Sequence, residues 1–425
     1  PNGKINRKKL KNSIMHEALL DNHTQAEVTA GNTKTSITLI NIWKELLSED
    51  KIGLHTNYFS VGGDSLLATK LIAKVKEVYK VTLSIGDVFN HPVVQDLAKC
   101  IDNSKKSIKE ELTIDSENEN EPFPLTDVQF AYWIGRSGAY SLGAVATHCY
   151  YELDCYDINI TRLQKTIQAL IQEHGMLRAI ILKSGQQQIL SKVPPYILPI
   201  QDVSAFTMQE QDNALIHTRK QMSHEIITTD IWPLFNFKVS IISNHKIRLH
   251  VSFDNIILDG WSMFHILKEL KLRYDCQDNT VKNPGITFRD YVLFTEKQKN
   301  TAQYEVDKKY WLDRLDTFFE APKWKVMKLE SEITRQVFKR REHSIDANHW
   351  HQLKEIARQN NITPTILLIT IFSAAIQKYS LNKEFSLNIT QFNRAPMHPN
   401  IHEIVGDFTT LTFLEIQQGS NNNII

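Results

Sequence analysis

The sequence predicts a multidomain protein, an all-α bundle of four-helix size followed by a long α/β region. Three observations carry this. Between residues 36 and 102, apolar residues recur at three- and four-residue spacing, which is the helical period. From Phe123 onward, stretches of strand alternation interleave with helical stretches to the end. Between the two, residues 103–122 (NSKKSIKEELTIDSENENEP) are charged and nearly devoid of large apolar groups, so burial would not offset the entropy of ordering them. A length of 425 residues admits two or three domains with their own cores.

Composition excludes several function classes. With 49 basic residues against 48 acidic ones the net charge is +1, so there is no basic field for nucleic acid and no acidic tail. Cys100, Cys149, Cys155 and Cys276 are scattered without CxxC spacing, which suggests neither a zinc site nor a disulfide framework and fits a reducing compartment. No apolar signal-peptide core follows the basic PNGKINRKKL, and no apolar run approaches the roughly 18 residues of a membrane span. The expectation is a cytoplasmic protein with neither a nucleic-acid nor a membrane partner. Asn-x-Thr triplets at Asn22, Asn159, Asn361 and Asn388 read as chance polar loops or strand ends.

Taken in order, residues 1–14 form a short basic tail and 15–35 a polar linker. The first helix, SITLINIWKELLS (36–48), is expected to bury Ile37, Leu39, Ile40, Trp43, Leu46 and Leu47. A loop ending NYFSVGGDS leads into the helix LLATKLIAKVKEVY, with an apolar stripe of Leu67, Leu71, Val75 and Val78. The short helix VVQDLAKCI, started by Pro92, completes the bundle. Residues 103–122 are expected to be a mobile tether that could stretch to roughly 65 Å. In the α/β region, KIRLHVSF puts Ile247, Leu249, Val251 and Phe253 on one strand face and Arg248, His250, Ser252 and Asp254 on the other. The helix PTILLITIFSAAIQKY has Thr363 as N-cap and Pro364 in its first turn, and the strand FSLNITQF follows.

Two stretches carry chemistry. In VGGDSLLATKL, Ser65 opens an amphipathic helix behind Gly62, Gly63 and Asp64. Helix starts favour anions through unpaired N–H groups and the dipole, and the glycines leave the hydroxyl open. The plainer alternative is that Asp64 or Ser65 only caps the helix. The second stretch, SFDNIILDGWSMFHI (252–266), sets Asp254 and Asp259 five residues apart, where an acid–base site would more readily be built around histidine. His398 and His402 stand four apart, but Pro399 between them argues against a helix that would hold a metal, and no metal site is expected.

Residues 36–102 resemble a peptidyl carrier domain of a nonribosomal peptide synthetase, whose motif Gly-Gly-Asp/His-Ser-Leu is matched at Gly62, Gly63, Asp64, Ser65 and Leu66. The resemblance implies 4'-phosphopantetheine on Ser65, attached by a phosphopantetheinyl transferase. PNGKINR resembles the last motif of an adenylation domain, in which Lys4 would close on the carboxylate being adenylated. The stretches FPLTDVQFAYWIGR (123–136), EHGMLRAII (173–181), DNIILDGWS (254–262), YWLDRLD (310–316) and residues 385–416 resemble the heterocyclization domain of those synthetases, a variant of the condensation domain. What this implies is an α/β fold of two chloramphenicol-acetyltransferase-like lobes in a V, at 123–290 and, partially, 291–425.

An ordinary condensation domain carries His-His-x-x-x-Asp-Gly. Aligning on Asp259-Gly260 places Asp254 and Asn255 at the histidine positions, while the heterocyclization pattern Asp-x-x-x-x-Asp-x-x-Ser is filled by Asp254, Asp259 and Ser262. Asp254 is expected either to pair with a cation or to transfer protons, Asp259 to organise the site through an arginine, and Ser262 to cap a helix. The family's ring-closing pair is a threonine, here Thr409, with an aspartate about thirty residues on, near position 439. Asp407 is the nearer alternative base. Asn388, Thr390, Asn393 and Arg394 match the family's LNxTxFNR and are expected to support the site or pack the lobes. The function implied is amide formation with a Cys, Ser or Thr acceptor followed by cyclodehydration to a thiazoline or oxazoline. Implied partners are an upstream adenylation domain and a downstream acceptor carrier, with acyl or aminoacyl thioesters as substrates. Alternatives are plain amide formation and a non-catalytic docking scaffold. Residues 1–425 alone are expected not to cyclise and to expose lobe surface meant for burial.

Overall fold

The structure, a computed structural model, describes residues 33–47, 49–63, 65–81, 83, 85–104, 114–115, 118–136, 143, 145–277, 280, 283–325, 333, 341–360, 362–395 and 397–417. The tail, Lys4, the 15–35 linker up to residue 32, and Asp64 lie outside them. The chain forms two compact units, Pro1–Ile108 and Lys109–Ile425.

In the first unit the described helices are α1 (Lys34–Leu47), α2 (Ser65–Tyr79), α3 (Ile85–Asn90) and α4 (Val94–Asn103). Their core joins Leu39, Trp43, Leu71, Val75, Val88, Leu97 and Ile101. Each large aliphatic side chain buried in it contributes about 1.5–3 kcal/mol. Two expected core residues are not there: Ile37 and Val78 are each 51% exposed, whereas Ala68 and Ile72 are buried. Spacing finds the buried stripe, but neighbouring helices decide how wide it is. Thr35 on α1 donates to Asp102 on α4 at 2.5 Å, tying the ends of the bundle together.

Among the described residues the second unit contains three sheets. One has strand order β1 (Phe123–Pro124), β4 (Gln186–Ile189), β3 (Ala179–Ile181). The largest runs β2 (His148–Tyr156), β7 (Lys246–Asp254), β6 (Phe235–Ser243), β5 (Ile200–Asp202), antiparallel except for the β5–β6 pair. The third pairs β8 (Phe385–Phe392) with β9 (Thr409–Ile416). The helices are α5 (Asp127–Gly135), α6 (Ile160–Glu173), α7 (Met208–Met222), α8 (Gly260–Cys276), α9 (Phe288–Gln298), α10 (Ala302–Arg314), α11 (Ala347–Gln359) and α12 (Pro364–Tyr379). As expected, Thr363 caps α12 by accepting from Ile366 N–H. The expected lobe boundary at 290/291 falls inside α9.

One core runs through β2, β6, β7 and α8 and takes in Ile401, Ile404, Val405 and Phe408 from the segment ahead of β9. That segment therefore belongs to the same packing unit as the end of β7, and this places it against the start of α8. By contrast Ile366, Phe372, Phe392, Leu411 and Phe413, on α12, β8 and β9, are exposed. No single helix among the described residues is long and apolar enough to cross a membrane.

The charged segment is not a free tether along its whole length. Asp115 accepts from Arg289 at 3.0 Å, its N–H donates to Asp290, and Asn120 O accepts from Gln188. A half-buried carboxylate meeting a largely buried guanidinium holds this part down where apolar burial cannot.

Candidate active site

Ser65 is the first residue of α2. The chain reaches it through Gly62 at φ +91°, a left-handed conformation that favours glycine. Gly63 lies under Tyr58, where a Cβ would come within 2.4 Å of the ring. The N–H groups of Gly62 and Gly63 are used, bonding Phe59 O and Tyr58 O. The positive dipole end of a helix start suits a phosphate esterified there.

The second site is assembled at the β7–α8 junction. Strand β7 ends at Asp254, a short turn follows, and Asp259 caps α8 by accepting from Ser262 N–H at 2.7 Å. The cap is thus Asp259 and not Ser262, because a carboxylate at that position reaches the N–H three residues on. Ser262 instead bridges to the crossing segment: its hydroxyl donates to Gly406 O at 2.9 Å and accepts from Arg394 Nη2 at 2.8 Å and Gly406 N–H at 3.1 Å. Asp259 also accepts from Phe408 N–H at 3.2 Å, lies 3.5 Å from Arg394 Nη2, and donates its own N–H to Gly406 O. Arg394 is 2% exposed, bonds Ile401 O and Ile404 O, and lies over the Phe408 ring at 3.8 Å. Burial lowers its pKa to about 10 against the pull of Asp259. Gly406 is required by close approach, since a Cβ would fall 2.2 Å from the Phe288 ring. Asp259, Ser262 and Arg394 together form a latch.

Beside the latch lie polar groups that are not satisfied. Asp254, 1% exposed, is paired with Arg136 and accepts from Ile256 N–H at 3.0 Å through the same oxygen, leaving Oδ2 without a partner. Its cation is therefore Arg136. Arg248, the strand neighbour, pairs with Asp154 and Glu152. His250 is hydrogen-bonded to Tyr150 and Ser240, and burial holds its pKa down to about 4, so it is neutral. Asn255 donates its N–H to Thr147 O, and its buried Oδ1 has no partner.

Asp407 is fully buried. Its Oδ1 accepts from Thr409 N–H at 3.2 Å, the Thr409 side chain lies close enough to influence its proton affinity, and Oδ2 is unpartnered. Desolvation, with the nearby Asp259 charge, pushes its pKa from 3.8 up to about 7, against the Thr409 bonds. Thr409 opens β9 opposite Phe392. A buried carboxyl that exchanges its proton near neutrality, with a hydroxyl two residues on, can give and take protons without an imidazole.

The remaining expected residues lie elsewhere. Asn388 and Thr390 are exposed on β8, opposite Phe413 and Leu411, and make no hydrogen bond to the latch. Asn393 acts through its backbone, accepting from Tyr291 Oη at 2.8 Å and donating to Phe408 O. His398 caps a 3-10 turn, Pro399–His402. A cavity of about 720 Å³ lies along the later turns of α8, lined by His174, His265, Glu269 and Arg273, and none of Asp254, Asp259, Asp407 and Thr409 lines it. Sequence reasoning missed Gln129 and Arg136. Gln129 had a local signal, the Thr126-x-x-Gln129 capping box, and its Nε2 supports the turn by donating to Ile256 O at 2.6 Å.

Residues 38–101 match the phosphopantetheine attachment site family, and residues 124–424 match the condensation domain family. Bacitracin synthase 1 of Bacillus licheniformis is 32% identical over 424 residues, 99% of this chain and 8% of that protein. Phenyloxazoline synthase MbtB of Mycobacterium tuberculosis is 29% identical over 302 residues, 70% of this chain and 21% of that protein. The chain thus spans a small part of the length of these relatives. Among solved structures, the EpoB nonribosomal peptide synthetase cyclization-docking bidomain from Sorangium cellulosum superposes with a TM-score of 0.70 at 30% identity, covering 74% of this chain and 64% of that one. The chain belongs to the condensation domain family, carries a phosphopantetheine attachment domain ahead of that fold, and has relatives of the heterocyclization type among nonribosomal peptide synthetases.

Proposed function

We propose that this chain is the donor carrier and heterocyclization segment of a cytoplasmic nonribosomal peptide synthetase. In this reading the carrier spans 36–102 and the two lobes 123–290 and 291–425. The 4'-phosphopantetheine arm on Ser65 supplies the thiol that carries an acyl or aminoacyl group. An upstream adenylation domain loads it, a phosphopantetheinyl transferase installs the arm, and a downstream carrier brings the Cys, Ser or Thr acceptor.

The observation that carries the reading is the Asp407–Thr409 pair, a buried carboxyl with a pKa near 7 and one free oxygen, where no imidazole stands at 254 or 255. In the first step the acceptor amine forms a bond to the acyl carbon, the thioester C–S bond breaks, and the amine proton leaves with the donor thiol. Next the acceptor thiol or hydroxyl adds to the amide carbonyl, and its proton goes to the former carbonyl oxygen. Asp407, in its acid form, protonates that hydroxyl as its bond to carbon breaks. The nitrogen proton returns through the Thr409 hydroxyl to Asp407 as C=N forms. One water is lost in total. The latch holds Asp407 and the β7 end in register, and Arg136 pairs with Asp254 beside them.

The test is the mass of the product on the acceptor arm of the assembled, primed synthetase. The expected product is one water lighter than the open amide, and an exclusively open amide would refute the reading. For the carrier, Ser65→Ala should abolish the mass gain from coenzyme A and a phosphopantetheinyl transferase.

A further inference from the structure

Gln129, Tyr132 and Arg136 stand three and four residues apart, which places them on one face of α5 and its C-terminal cap. That face runs along the turn after β7, contact by contact. Gln129 donates to Ile256 O, Arg136 pairs with Asp254, and Tyr132 lies between them on the same face. At the Gln129 end the polar atoms are satisfied, because Gln129 and Gln187 exchange Nε2–Oε1 bonds of 3.0 and 2.8 Å.

At the middle and far end they are not. Asn255 Oδ1, Asp254 Oδ2 and Asp407 Oδ2 are all buried without a hydrogen-bond partner. Buried polar groups are rarely left unpaired, so three of them beside this face of α5 mark a place built for something that arrives later. Burial, followed by the charge of Asp407, raises the phenol to about 12, so it remains a neutral donor at any working pH.

We propose, resting on the heterocyclization reading, that Tyr132 is a further catalytic residue: its hydroxyl, on the face of α5 that runs along the turn after β7, donates a hydrogen bond to the amide oxygen that departs as water. In that position it would polarise the carbonyl for attack and then steady the hydroxyl while Asp407 delivers the proton. The phenol keeps its own proton throughout, so the proton balance of the ring-closing steps is unchanged. Tyr132 thus stands on the helix face next to Asp254 and Asn255, the two positions that the alignment assigns to histidine in ordinary condensation domains.

The experiment is Tyr132→Phe in the assembled, primed synthetase, with open amide and ring followed separately by intact mass against time. Losing one such donor should slow ring closure about 100-fold, while amide formation stays within about two-fold and the thermal unfolding midpoint is unchanged. Ring closure at the wild-type rate would overturn the role of the phenol alone. Equal loss of both steps would also overturn it, since a packing role slows them together. Wild-type enzyme that makes only open amide would instead overturn the heterocyclization reading, and this inference with it.

Discussion

Asp259 and Asp407 are both buried aspartates of one junction, yet they are treated in opposite ways. At Asp259 both carboxylate oxygens are used, by Ser262 N–H and Phe408 N–H, with Arg394 beside them. At Asp407 one oxygen is bonded by Thr409 and the other by nothing, and its pKa climbs to about 7. Saturation turns a carboxylate into a fastener. Leaving it half-used, in a place water does not reach, turns the same group into a proton carrier.

The largest test of this contrast is Arg394→Ala. Removing the cation leaves Asp259 buried without it and frees two carbonyls, so the loss should be about 3–5 kcal/mol in denaturant unfolding, with amide and ring formation falling together. Asp407→Asn should do the reverse, slowing ring closure by about 10²–10⁴-fold while the domain stays folded. Its stability effect has a sign set by linkage. Asp407 has a folded pKa near 7 against an ordinary 3.8, so the native state holds the proton more tightly. The stability this group lends is present at low pH and is lost as pH rises from about 4 through about 7. Asp407→Asn should therefore flatten that part of the stability profile and leave the variant at least as stable as wild type above it. The smallest effect is expected for Ser262→Ala, about 1–2 kcal/mol from the lost bridge to Gly406 and Arg394, again slowing both steps alike.

Legibility followed distance along the chain. The turn Gly62-Gly63 before Ser65, the cap at Thr363 and the alternation of β7 depend on neighbours a few residues away, and each was readable from spacing and residue type. The Asp407–Thr409 bond is equally local, and the sequence offers Asp407 as the nearer alternative base. What burial does to its proton affinity was not visible, because desolvation comes from residues folded over it. Asp254 was expected to choose between a cation and proton transfer, but its partner Arg136 lies 118 positions earlier, and no period within β7 points to it. Asn388 and Thr390 matched a motif yet face outward, since a match fixes residue type and not the register in which β8 meets β9. The tether from residue 103 read as unpaired charge, and only the fold brings Arg289 to Asp115.

The most direct measurement is the pH dependence of the ring-to-open-amide ratio, taken on single turnovers of the assembled synthetase and repeated with Asp407→Asn. If burial has made Asp407 the acid that releases water, the ratio falls as pH rises through about 7, and the asparagine variant shows no such inflection. A flat wild-type profile, or an inflection that survives in the variant, would contradict it.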